Sequence, residues 1–134
     1  MRHSISYVST AQSNLSAEHL ENLLGDTVLK NNALDISGIL LCSEGNFFQL
    51  MEGEKENVQD LFSRIKKDSR HNNLIKFIDK PTFNPSNEGY FCDLITQNTK
   101  FNESNFENYL RYIQVLDLKS QNAVKRILES MIAY

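Results

Sequence analysis

The chain has 134 residues, 40% of them hydrophobic, and a formal net charge of −3. That length sets the expectation of one domain whose core needs no disulfide or metal staple. The acidic balance disfavours nucleic acid and anionic membrane surfaces as partners, since both want a basic face.

Residues 2–9 read as a short strand, with Ile5, Tyr7 and Ser9 on one face and Ser4, Ser6 and Val8 on the other. Ser16 or Asn14 is placed to cap the next helix. Ser16 and His19 do not supply the Ser/Glu pair of a capping box. Leu20, Leu23, Leu24 and Val28 give that helix its apolar stripe and an expected end near Lys30. Residues 36–42 and 46–52 are apolar, aromatic-rich strands, joined by a hairpin turn at Ser43-Glu44-Gly45 and closed by Gly53. Val58, Leu61, Phe62 and Ile65 follow helical spacing, so a second helix is expected over 54–67. Residues 74–79 read as a strand. Pro81, Asn84, Pro85 and Asn87 read as a loop, and residues 90–96 as a last strand. Two further helical stripes follow, one from Phe106, Tyr109, Leu110 and Ile113, the other from Val124, Ile127, Leu128 and Met131.

The order βαββαββ predicts an α+β, ferredoxin-like sandwich. A mixed, mostly antiparallel five-stranded sheet carries two helices on one face, with two C-terminal helices added.

Motifs of catalysis are missing from the sequence. There is no phosphate-cradling glycine loop, no GxSxG and no HExxH. His3, His19 and His71 share no ligand spacing with a cysteine or carboxylate, and no metal is expected. Cys42 and Cys92 lie in apolar strand-like runs and read as small buried hydrophobes. The N-terminus shows no signal-peptide core, and nothing approaches a membrane-spanning run, so a cytoplasmic location is expected.

What remains is a set of hydrogen-bonding side chains in apolar places. Gln49 sits within Phe47-Phe48-Gln49-Leu50-Met51. Either the strand presents it to solvent, or it shares the core face with Phe47 and Met51. In the second case its amide, donor and acceptor at once, suits the edge of a heterocycle. Tyr7 reads as core filler or as a partner to such an edge. Asn31 and Asn32 follow the first helix, where C-cap residues stand, and Arg70-His71 follow the second.

Together these residues resemble the BLUF family, sensors of blue light using flavin. The resemblance is carried by Tyr7-Val8-Ser9, Asn31-Asn32, Ile36-Ser37-Gly38, the run from Phe47 to Gly53, and Asp68-Ser69-Arg70-His71. It covers residues 1–96, leaving 97–134 as a helical extension that packs on the sheet or mediates assembly. It implies a blue-light photoreceptor rather than an enzyme. The implied cofactor is FAD, with FMN the alternative, held between the two helices. By the same resemblance Tyr7 and Gln49 form the photoactive pair. Asn31 and Asn32 meet the polar edge of the ring, Ile36 lines it, Arg70 and His71 meet the ribityl or phosphate portion, and Ser9 supports them. The family usually has Trp-x-Met on the last strand. This chain has Tyr90 and Cys92 there and no tryptophan, which places the signal-transmitting role on those two residues. A separate downstream protein and a homo-oligomer are the implied partners.

Three other readings compete. A cofactor-free ferredoxin-like interaction module would use the tail helices for assembly. A hydrolase of acylphosphatase type needs an arginine in the loop after the first strand, and residues 9–16 contain none. An RNA-binding sheet wants basic residues around exposed aromatics, against the acidic balance here.

Overall fold

The computed structural model describes residues 1–85, 89–95 and 103–132. Asn87 of the expected loop, Thr96 of the expected last strand, and residues 97–102 and 133–134 of the tail lie outside the described residues. The elements run β1 (Arg2–Ala11), α1 (Ala17–Ala33), β2 (Ser37–Ser43), β3 (Asn46–Glu54), α2 (Lys55–Lys66), β4 (His71–Pro81), β5 (Tyr90–Ile95), α3 (Glu103–Tyr112), a single 3₁₀ turn (Ile113–Val115) and α4 (Leu118–Ile132). The architecture is α+β. Strand order is β4-β1-β3-β2-β5. The pairs β4/β1, β1/β3 and β3/β2 are antiparallel, and β5 joins β2 in parallel.

Each element has a local cause. The β2–β3 loop has two residues, Glu44 at φ 49° and Gly45 at φ 80°. Positive φ at both positions matches the twist of a tight hairpin. Ser16 caps α1 by accepting from the His19 amide at 3.1 Å. The His19 ring accepts from the Ser16 amide at 3.4 Å, so a capping box forms after all. Imidazole Nδ1 does there what a glutamate oxygen usually does. Helix α1 continues past Lys30 to Ala33, so Asn31 and Asn32 belong to its last turn. Its end is a Schellman motif: the Ile36 amide donates to the Asn31 carbonyl at 2.9 Å and the Asp35 amide to the Asn32 carbonyl at 3.1 Å. Asp35, at φ 56°, takes the left-handed position that glycine usually fills. Strand β4 is longer than its apolar pattern suggests, because as an edge strand it leaves most of its side chains at least partly in solvent.

The sheet is buried on both faces. On one side Leu24 of α1 and Val58 and Phe62 of α2 pack on Ile5, Tyr7, Leu40, Phe47 and Met51. On the other, Tyr109 of α3, Ile113 and Val115 of the 3₁₀ turn, and Val124 and Leu128 of α4 pack on Ile39, Leu41, Phe48 and Leu50. Every residue of β2 is buried, which explains its unbroken apolar run. Each fully buried aliphatic or aromatic side chain contributes about 1.5–3 kcal/mol. Ser43 Oγ donates to the Met131 carbonyl at 2.9 Å and ties the end of α4 to β2.

Candidate functional site

Registers on the α1/α2 face place four residues in one row across the sheet. Tyr7 on β1 stands opposite Gln49 on β3, Gln49 opposite Leu40 on β2, and Leu40 opposite Cys92 on β5. Of the two readings for Gln49, the buried one holds: it is 2% exposed, and Tyr7 is 3% exposed. Directly opposed antiparallel positions bring Cβ atoms within about 5 Å. Gln49 Nε2 donates to the Tyr7 hydroxyl at 2.5 Å, and Gln49 Oε1 accepts from the Tyr90 hydroxyl. The amide is thus held at both ends by phenols.

A cavity of about 240 Å³ opens over this row, between the two helices. One wall is a stripe of α1 with Leu23, Thr27, Lys30 and Asn31; the other is the stripe of α2 with Leu61, Arg64 and Ile65. Spacings of three and four residues set both stripes on the helix sides that face each other. The floor is Tyr7, Leu40, Phe47 and Gln49 from the sheet, and the rim holds Asp68, Arg70 and His71.

Of the expected site residues, Tyr7, Asn31, Gln49, Arg70 and His71 line this cavity. The other three stand elsewhere. Ile36 is 1% exposed and packs in the core behind the row. Asn32, on the solvent side of the last helical turn, accepts from the Tyr90 backbone amide with Oδ1 at 3.0 Å. Ser9 acts through His71. The His71 Nε2 donates to the Ile65 carbonyl at 2.7 Å, since a carbonyl can only accept. In the neutral ring Nδ1 then accepts from Ser9 Oγ at 2.8 Å. So held, the His71 ring stands roughly edge-on to Tyr7 and Phe47. Arg70 turns its guanidinium onto its own loop, with Nε and Nη2 on the two oxygens of Asp68 at 3.0 and 2.5 Å. That pairing holds the Asp68 carboxyl below the usual carboxylate range.

Two features give the cavity its chemistry. Burial, and to a lesser degree the charge of Asp68, pushes the Tyr7 phenol well above its ordinary pKa against the opposing Gln49 bond, so the proton stays on Oη. Asn31 is 2% exposed, yet among the described residues its Nδ2 has no hydrogen-bond partner of good geometry. An orphaned amide donor costs about 1–3 kcal/mol, and an acceptor bound in the cavity would relieve it. A flavin fits this test, because the pyrimidine edge of its ring offers carbonyl oxygens while its body is flat and apolar.

Thr27, Lys30, Arg64, Leu40 and Phe47 were not assigned to the site from the sequence, although Phe47 opens one of the motif runs. The signal that finds the first three is their spacing on facing helical stripes, but the same spacing describes any solvated helix side. Tyr90 was expected only to relay a signal, and its hydroxyl bond to Gln49 has no trace in the sequence.

A family model described as sensors of blue-light using FAD matches residues 3–89. The alpha subunit of the photoactivated adenylate cyclase of Euglena gracilis is 36% identical over 73 residues, covering 54% of this chain and 7% of that protein. The blue light- and temperature-regulated antirepressor BluF of Escherichia coli K12 is 31% identical over 72 residues, covering 54% of this chain and 18% of that one. Among solved structures, Klebsiella pneumoniae BlrP1 with FMN and cyclic diGMP superposes with a TM-score of 0.76 at 27% identity. That match covers 99% of this chain and 35% of the other. The chain therefore spans less than a fifth of these two curated relatives.

Proposed function

On the premise that this chain belongs to the BLUF family of blue-light sensors using FAD, we propose that it signals by rearranging the hydrogen bonds around Gln49. The observation that carries the proposal is the Gln49 amide itself. It is buried against the cavity and held to the Tyr7 hydroxyl, beside an Asn31 amide whose donor waits for an acceptor. When bound, the flavin supplies the blue-light absorption and a ring that accepts an electron.

The residues supply the rest. Asn31 holds the polar edge of the ring. Leu40, Leu61 and Ile65 would provide apolar contact, and Lys30 and Arg64, cations on the two cavity walls, would meet the phosphate portion, with Arg70 braced by Asp68. Tyr7 keeps a proton on Oη that it releases only when oxidised. Gln49 then exchanges its two ends, because N–H and C=O present opposite hydrogen-bonding sense to the same neighbour. Ser9 and His71 keep Tyr7 oriented. FAD is the assigned cofactor, and a cavity that grips the ring leaves FMN able to bind.

The sensor occupies residues 1–96, and 97–134 are an extension whose described helices cover the far face of the sheet. The side chains of α3 and α4 on Ile39, Leu41, Phe48 and Leu50 support that division. Output passes by contact to a separate downstream protein, and the receptor works as a homo-oligomer. Among the described residues no helix is long and apolar enough to cross a membrane, which supports a cytoplasmic setting. The competing cofactor-free module has the family match and the orphaned Asn31 donor against it.

The test is an absorption spectrum of the purified protein in the dark and after blue light. A flavin spectrum with a small reversible red shift is expected. A colourless protein that FAD does not load sinks the proposal.

A further inference from the structure

We infer that Tyr90 is a positioning residue for Gln49, holding the amide from the β5 side and able to bond either of its ends. This rests on the reading of the site as a flavin switch.

The hydrogen bonds form one directed chain. The Tyr90 hydroxyl donates to Gln49 Oε1, and Gln49 Nε2 donates to the Tyr7 hydroxyl. So long as Tyr90 donates, the carbonyl of Gln49 points to β5 and its amino group to β1.

The reach is unusual. Tyr90 pairs with Gly38 on β2, and Gln49 lies on β3, one strand further. Neighbouring strands are about 4.8 Å apart, so the bond spans about 10 Å of sheet. The ring must pass over β2, and in its row that strand carries no side chain. Gly38 adopts φ 142°, and a Cβ there would meet the Leu50 carbonyl oxygen at 1.9 Å. Sterics of the backbone thus keep this position a glycine and the path of the tyrosine clear. The Tyr90 backbone is tied down as well. Its amide donates to Asn32 Oδ1 at 3.0 Å, and the Gly38 amide donates to the neighbouring Gly89 carbonyl at 2.9 Å. The residue is 5% exposed. Burial, and to a lesser degree the neighbouring Cys92 and Tyr7, raises its phenol well above the ordinary value, so the hydroxyl keeps its proton.

A hydroxyl carries one donor hydrogen and two acceptor lone pairs. If Gln49 turns end for end, Tyr90 stops donating to Oε1 and accepts from Nε2 by rotating one O–H bond. The Tyr7 hydroxyl makes the reverse exchange, so neither end of the Gln49 amide is orphaned in either state. An indole at this position could only donate, and a phenyl could do neither. Tyr90 is thus matched to both arrangements, and its backbone, unlike that of Tyr7, sits on β5 next to the end of α1.

The experiment compares the flavin-loaded chain with Tyr90→Phe and Tyr90→Trp. It reads flavin content, the absorption maximum before and after blue light, and the rate of dark recovery. We expect Tyr90→Phe to keep flavin, shift its dark maximum and change recovery at least tenfold. Tyr90→Trp keeps a donor, so its dark maximum stays and only the lit maximum and recovery change. A Tyr90→Phe protein matching the parent in both maxima and in recovery overturns the inference. Should either substitution cost the flavin, infrared difference spectra of the parent chain with ring-labelled tyrosine decide. Two tyrosine C–O bands moving on illumination support Tyr90, and a single moving band overturns it. If the parent chain itself shows no light-induced shift, the switch reading of the site fails instead.

Discussion

Tyr7 and Gln49 stand directly opposite one another on β1 and β3, and the Gln49 amide donates to the Tyr7 hydroxyl at 2.5 Å, both side chains buried at the floor of the cavity. An amide in that setting has few alternatives: any motion that breaks this bond must make another, or leave a polar group unpaired at about 1–3 kcal/mol. Stable end states separated by a bond exchange are what a switch requires.

Removing either member should therefore separate binding from signalling. Tyr7→Phe and Gln49→Glu are expected to retain flavin and to lose the reversible red shift, by dark and lit absorption spectra of the loaded variants. Phenyl has no proton to release. An ionised carboxylate has no donor end to exchange. An unchanged shift in either variant contradicts the assignment of the pair.

Asn31 should show effects of opposite sign with and without cofactor. Its orphaned Nδ2 makes it a burden on the empty protein, and alanine is the better helix former in the last turn of α1. Asn31→Ala is expected to raise the unfolding free energy of the flavin-free protein by about 1 kcal/mol. The same change should weaken flavin binding roughly tenfold, the equivalent of about 1.4 kcal/mol. Denaturant unfolding and flavin titration measure the two halves. A stabilised empty protein with unaltered affinity removes Asn31 from the flavin site.

Gly38→Ala should be among the most damaging single changes in the chain. Its Cβ would lie 1.9 Å from the Leu50 carbonyl oxygen, a backbone atom that cannot swing away, at a φ that disfavours side chains. A loss of about 3 kcal/mol or more is expected in equilibrium unfolding, given strain plus displacement of a central strand. A loss below about 1 kcal/mol would mean that β2 and β3 can part without cost.

Asp117 gives the chain an acid-sensitive seam between β4 and α4. Its carboxylate meets Lys80 Nζ at 2.7 Å and accepts from Ser120 Oγ at 2.6 Å, and the Lys80 bond chiefly holds its pKa down to about 2. A depressed carboxyl stabilises the fold fully above the unfolded value near 3.9, and that share fades as pH falls from about 4 through 2. The group is solvent-facing and screened by salt, so the effect is small. Asp117→Asn should lower the unfolding midpoint slightly at pH 7, and the difference from the parent should vanish near pH 2. A difference that persists at pH 2 assigns the contribution to the side chain's shape rather than its charge.

Much was legible in the residues. The alternation in β1, the unbroken apolar runs of β2 and β3, and the stripes of α1 and α2 reflect burial periodicities that any chain must obey to form this sandwich. The Tyr-x-Ser, Phe-x-Gln and Arg-His pieces marked Tyr7, Gln49 and His71 through the family resemblance they carry together, each piece alone being a weak signal. Sequence alone left Gln49 open to either face, since strand period settles which residues share a side but not which side meets the helices. It also stopped α1 at Lys30, because the last turn is held by a Schellman motif closing on Asp35, and aspartate is an uncommon choice there. Tertiary structure decided the rest. Register alone set Tyr7 against Gln49. The bare backbone of Gly38 let Tyr90 reach Gln49 across an intervening strand. The 17-residue helix end turned Asn31 into the cavity and Asn32 onto β5. Those relations join residues 41, 42 and 58 positions apart, and contacts between such distant parts of a chain exist only once the sheet has closed.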